Sequence, residues 1–196
     1  MPLSGHALAE SLPYNRLSWW LDRVIVAIGK LTSWLWLIML AVVLCNVFSR
    51  FVLAEGSIWL EELSWHLFGA AMMLTLAFAV VRDDHVRVDV LHEKFTLRGQ
   101  AWVDLIAIVV LALPVLVLAI KPLVPYAYTA FIYDERSQAP SGLPYRFIIK
   151  SIVPIGLALV VVALFSRALR CCTLLFRFPH AIRADHPDAD ARDEKP

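Results

Sequence analysis

The stretch Leu31–Leu53, LTSWLWLIMLAVVLCNVFSRFVL, decides what kind of chain this is. It carries a single charge, Arg50, near its far end. A bilayer hydrocarbon core is about 30 Å thick, and a helix needs about 20 mostly apolar residues to cross it. Three more stretches of the same kind follow, at Ile58–Val81, Ala101–Ile120 and Phe147–Leu169. The whole chain of 196 residues is 60% hydrophobic, with a mean hydropathy of +0.68. Inside lipid no water satisfies the backbone, so runs of this length must be helices. The sequence therefore predicts an all-α membrane protein with four transmembrane helices.

Working outward from these spans leaves an N-terminal cytoplasmic or interfacial segment (1–30), a four-helix transmembrane domain (31–170) and a mostly disordered cytoplasmic tail (171–196). None of the outer pieces is long enough to bury a core alone. The first apolar run starts too late for a cleavable signal peptide, behind Trp19, Trp20, Asp22 and Arg23. The net charge of +1 says little, but its placement is informative. Arg16, Arg23 and Lys30 precede span one. Arg82, Arg87, Lys94 and Arg98 join spans two and three, and Arg167, Arg170, Arg177, Arg183, Arg192 and Lys195 close the chain. The opposite side holds only Arg50, Lys121, Arg136, Arg146 and Lys150. Positive charge collects on the cytoplasmic side, so both termini are expected there. The tail beyond Phe178 lacks apolar periodicity and reads as disordered.

Two readings of the N-terminal segment stay open. Leu17, Trp20, Leu21, Val24 and Ile28 recur at helical spacing, with Asn15, Arg16, Asp22, Arg23 and Lys30 on other faces. Such a helix lies in the membrane interface as an amphipathic element, or it extends span one into the cytoplasm. Gly56 is the expected breaker between spans one and two, which then form an antiparallel hairpin. Arg50 leaves the membrane where Glu61 and Glu62 begin span two. One glutamate is expected to pair with Arg50, or both sit at the helix N-terminus, where negative charge suits the macrodipole. Glu62, His66, Gly69 and Met73 share a stripe on which Gly69 would allow close helix approach. Pro114 should kink span three, and Pro122 and Pro125 should make its outer end irregular.

The chemistry that is missing narrows the function. The sequence shows no phosphate-binding glycine loop, no metal-spaced Cys/His cluster and no nucleophile elbow. Three cysteines make no disulfide framework; Cys45 is expected to fill space inside span one. A haem-bearing membrane anchor would need histidines at matched depth, whereas His66 lies in a span and His85 and His92 in a connection. A small proton-coupled exporter would need an acidic residue deep in a span, and Glu61, Glu62 and Asp104 lie near helix ends. No catalytic residue, metal ligand, cofactor or nucleic-acid partner is expected. The lipid bilayer is the one environment the residues demand.

An ordered set of motifs goes further. Glu61-Glu62-Leu63-Ser64-Trp65-His66-Leu67-Phe68-Gly69-Ala70 is followed by His85-Val86-Arg87-Val88-Asp89, then by Gly142-Leu143-Pro144 ahead of Pro154-Ile155-Gly156. From about Trp34 to Leu169 this resembles the small membrane (Q) subunit of tripartite ATP-independent periplasmic (TRAP) transporters. The resemblance implies a non-catalytic subunit of the bacterial inner membrane. It implies a large sodium-coupled elevator subunit and a periplasmic substrate-binding protein as partners in organic acid uptake. Arg50, Glu61, Glu62, His66, Gly69, His85, Arg87, Asp89, Gly142 and Pro144 become the candidate partner-interface or structural residues. The N-terminal segment and the tail match no motif of that family.

Overall fold

A computed structural model describes residues 12–82, 96–176 and 179–181. It contains four helices long and apolar enough to cross a membrane, and no strand among the described residues. These are α1 (Arg16–Val52), α2 (Ile58–Arg82), α3 (Leu97–Ile132) and α4 (Phe147–Phe176). His85, Arg87 and Asp89 lie outside the described residues.

The two readings of the N-terminal segment resolve into one continuous helix. α1 runs for 37 residues, about 55 Å at 1.5 Å per residue, and so outruns the hydrocarbon core. Asn15 starts it with a capping box: its side chain accepts the Ser18 N–H at 2.8 Å, and Ser18 Oγ accepts the Asn15 N–H at 3.1 Å. The segment's polarity is inverted relative to a helix on a soluble core. Ser18 and Asp22 are buried, while Leu17, Trp20 and Val24 face outward.

Between α1 and α2 the left-handed residue is Ala54 (φ 55°) and not the expected Gly56, since no glycine has positive φ among the described residues. Ser49 explains this. Its carbonyl accepts the Glu55 N–H at 3.2 Å while its hydroxyl donates to the Glu55 carbonyl at 2.8 Å, which closes the turn ahead of the glycine. α3 ends in a Schellman motif, with Asp134 left-handed (φ 43°). The Asp134 N–H returns to Phe131 and the Glu135 N–H to Ala130.

α3 also corrects the expectation of an irregular outer end, because the helix continues through Pro122 and Pro125 to Ile132. Each interior proline costs about 3 kcal/mol, but ending a helix within lipid leaves several backbone groups unsatisfied at several kcal/mol each. Continuing is cheaper. Pro114 leaves its mark just upstream, where Ala107–Ala112 widen into a π-helical turn.

α4 is the common partner. α1, α2 and α3 all pack on it and α1 packs on α2, whereas α2 and α3 have no extensive contact. The shared core is built from Ile25 and Val26 of α1, Ala77, Val80 and Val81 of α2 and Ala163 of α4. Small residues set the spacing, as is usual between membrane helices. The tightest glycine contact between α2 and α4 is not at Gly69, where an added Cβ would meet only Ile149 at 3.7 Å. It is one turn on, where a Cβ on Gly156 would lie 2.8 Å from the Met73 carbonyl oxygen. Cys45 is exposed on α1, so it does not fill interior space; Cys171 is buried.

Candidate functional site

The two short connections and the helix ends they join form one pole of the bundle, called here the hairpin pole. The other, terminal pole holds the starts of α1 and α3 and the ends of α2 and α4.

Glu62 organises the hairpin pole. One carboxylate oxygen accepts the Leu143 N–H at 2.7 Å and the other accepts the Ser137 hydroxyl. Both contacts reach far along the chain, from α2 into the α3–α4 loop. The loop is closed on itself by Ser137 N–H to the Leu143 carbonyl and Arg146 N–H to the Glu135 carbonyl, each 3.1 Å. Gly142 is required here: a Cβ would lie 2.3 Å from Ser137 and 2.9 Å from the Glu62 carboxylate. Pro144 is exposed on the same loop, and Tyr145 beside it is held left-handed (φ 63°), a strained conformation for a bulky residue.

The other residues singled out in the sequence are placed differently. Arg50 and Glu61 are exposed, and among the described residues Arg50 forms no ion pair with either glutamate. The Glu62 carboxylate is already taken by the loop. His66 Nδ1–H donates to the Glu62 carbonyl at 2.6 Å, one turn back along α2, which turns its ring toward a polar cleft.

That cleft, about 650 Å³, lies between α2 and α3 with α4 behind it. Trp65 and His66 line one wall and Tyr126 the other. Arg146, Ile149 and Lys150 form the back, and Glu135, Arg136 and Gln138 the rim. Lys150 pairs with Glu135 and sits 4.0 Å from the Tyr126 ring centre. Arg136 pairs with Asp134 at 2.9 Å, with both side chains largely exposed. Arg146 has no hydrogen-bond or ion-pair partner for its guanidinium among the described residues.

A second polar cluster holds the terminal pole. Ser166 donates to Asp22 Oδ1 at 2.6 Å, and Arg170 lies 3.8 Å from Asp22 Oδ2 with both side chains at most 4% exposed. Arg170 also donates to the Leu12 carbonyl at 3.1 Å and covers the Tyr14 ring, 4.1 Å from its centre. Asn15 donates to Thr173 at 3.1 Å. Arg167 reaches across to Asp104 of α3 at 2.8 Å. Among the described residues no group of three His, Cys, Asp or Glu side chains is arranged to hold a metal ion.

A family model described as "Tripartite ATP-independent periplasmic transporters, DctQ component" matches residues 39–174. The chain belongs to that family. No curated protein and no solved structure matches it. The DctQ match contains α2, α3 and the α3–α4 loop, and so the whole Glu62 arrangement and the cleft. It leaves out residues 12–38, although Asn15, Ser18 and Asp22 from that part are bound to matched residues of α4. This DctQ component is thus a multi-pass membrane chain of a TRAP transporter whose residues 12–38, outside the match, are integral to its fold.

Sequence reasoning placed Glu62, Gly142 and Pro144 together as one family pattern but missed the terminal cluster entirely. Arg167 and Arg170 look like ordinary topology-setting charges until α3 and α1 are seen beside them. Aspartates within an apolar-looking region, Asp22 and Asp104, were the available signal. Each needed a basic partner, but nothing in the sequence pointed to one on the last helix.

Proposed function

We propose that this DctQ component is a non-catalytic scaffold subunit. It packs beside a large sodium-coupled elevator subunit that takes up organic acids delivered by a periplasmic binding protein. In this reading it sits in the bacterial inner membrane with both termini cytoplasmic. The family match is the observation that carries the proposal. The geometry supports it, because the strongest polar groups are used within the chain. Glu62 holds a loop, and Asp22 and Asp104 pair with arginines of α4. α1 and α3 meanwhile present long apolar outer faces, with Leu31, Leu111 and Leu118 each at least 67% exposed. A larger scaffold resists the counter-movement of a carrier domain in the bilayer.

Co-expression with the large subunit tests this reading. A stable one-to-one complex is expected and, with the binding protein supplied, transport in liposomes only when both membrane chains are present. Transport by the DctQ component alone would refute the scaffold role.

A further inference from the structure

The cleft at the hairpin pole is not used by the scaffold reading. Its lining carries the three basic side chains Arg136, Arg146 and Lys150 and one carboxylate, Glu135. Asp134 answers Arg136 from outside the lining, and Lys150 is held by Glu135. What remains is Arg146, whose acidic neighbour Glu62 has both oxygens engaged by the loop. A half-buried guanidinium facing an open cleft is a ready fork for a phosphate or carboxylate.

The surroundings favour phosphate on a lipid. The cleft volume of about 650 Å³ falls within the range of small-molecule sites and far exceeds one carboxylate side chain. It lies at the end of four membrane-crossing helices, flanked by Trp65 and Tyr126, 66% and 54% exposed, of the kind that gather at headgroup depth. Below it α2 and α3 lean on α4 and not on each other, and Trp65, Met72 and Leu76 leave an exposed apolar row on α2. An acyl chain can lie along that row while its headgroup occupies the cleft.

We propose that this cleft binds the phosphate of an anionic phospholipid, gripped by Arg146 with Lys150 and His66 beside it. The site is independent of the scaffold reading, because it needs only the chain in its membrane.

The test uses the purified full chain in micelles doped with phosphatidylglycerol or phosphatidylcholine, with bound lipid counted by native mass spectrometry. Arg146→Gln is compared with Arg23→Gln, which removes the same charge at the opposite pole. One phosphatidylglycerol per chain is expected, retained by Arg23→Gln and weakened about tenfold by Arg146→Gln, the loss typical of one charge-assisted contact. Displacement of that lipid by inorganic phosphate would support the phosphate site. Inorganic phosphate binding through Arg146 with no lipid retained would keep the anion site but overturn its lipid source. Equal retention of the two lipids, or equal loss in both variants, would overturn the proposal. So would a lipid-free cleft in the assembled transporter with Arg146 cross-linked to a partner's carboxylate.

Discussion

Glu62 and Glu61 are neighbours of the same chemistry with opposite fates, which makes them a matched pair for testing. Glu62→Gln removes the charge that draws in the Leu143 N–H and the Ser137 hydroxyl, so the α3–α4 loop should open. Trypsin should then cut after Arg136 severalfold faster, while Glu61→Gln should match the parent chain. The two glycines on the α2–α4 contact form a second pair. Gly156→Ala pushes a methyl into the Met73 carbonyl and should cost about 1–3 kcal/mol, whereas Gly69→Ala should stay within about 0.5 kcal/mol. Thermal melts in detergent separate the two; equal melting would show that the closest approach has been misplaced. The sequence pointed to Gly69 because it shares a stripe with Glu62 and His66. Which glycine actually touches its neighbour depends on the relative height of two helices, and no periodicity records that.

At the scale of elements, the spans were largely legible. Ile58 and Phe147 begin α2 and α4 as read from the sequence, and α1 ends at Val52, just short of the expected limit at Leu53. Long apolar runs leave lipid few alternatives, so these ends are set by composition. The misses share one cause. Turn and proline rules come largely from chains in water, where a broken helix exposes its backbone to solvent at little cost. In lipid the prolines of α3 were overridden, and the first connection was shaped by Ser49 in place of Gly56. Ala54 therefore bears a left-handed conformation that costs a non-glycine residue about 1–2 kcal/mol. Ala54→Gly should stabilise the α1–α2 hairpin by about 1 kcal/mol, read as a higher melting temperature. No gain would mean that the Ser49–Glu55 closure does not hold Ala54 in that conformation.

At the scale of the whole molecule, the terminal cluster joins the part of the chain outside the DctQ match to the helix on which everything else rests. Removing one member of a buried ion pair leaves the other charge unanswered, at about 3 kcal/mol or more. Asp22→Ala should therefore be strongly destabilising. The double change Asp22→Ala with Arg170→Met should recover part of the loss, because no orphaned charge remains. Strictly additive losses in chemical unfolding would show that the two residues do not act as a pair. The same cluster shows how far a charge count can be trusted. Arg167 and Arg170 were tallied as markers of sidedness, yet both are also engaged inside the fold. Pairings that join the first and third helices to the last were invisible to any local reading.

The dominance of α4 carries a consequence for how the chain is made. A ribosome delivers it from the N-terminus, so the first three spans enter the bilayer before their shared support exists. Among the described residues α2 and α3 make no extensive contact with each other, so they are brought together only when the fourth span arrives, and the Glu62-bound loop is completed only just ahead of it. Assembly is thus gated by the last segment to be translated, and a polypeptide halted before Phe147 would present an α1–α2 pair and an unbraced third span to membrane quality-control proteases.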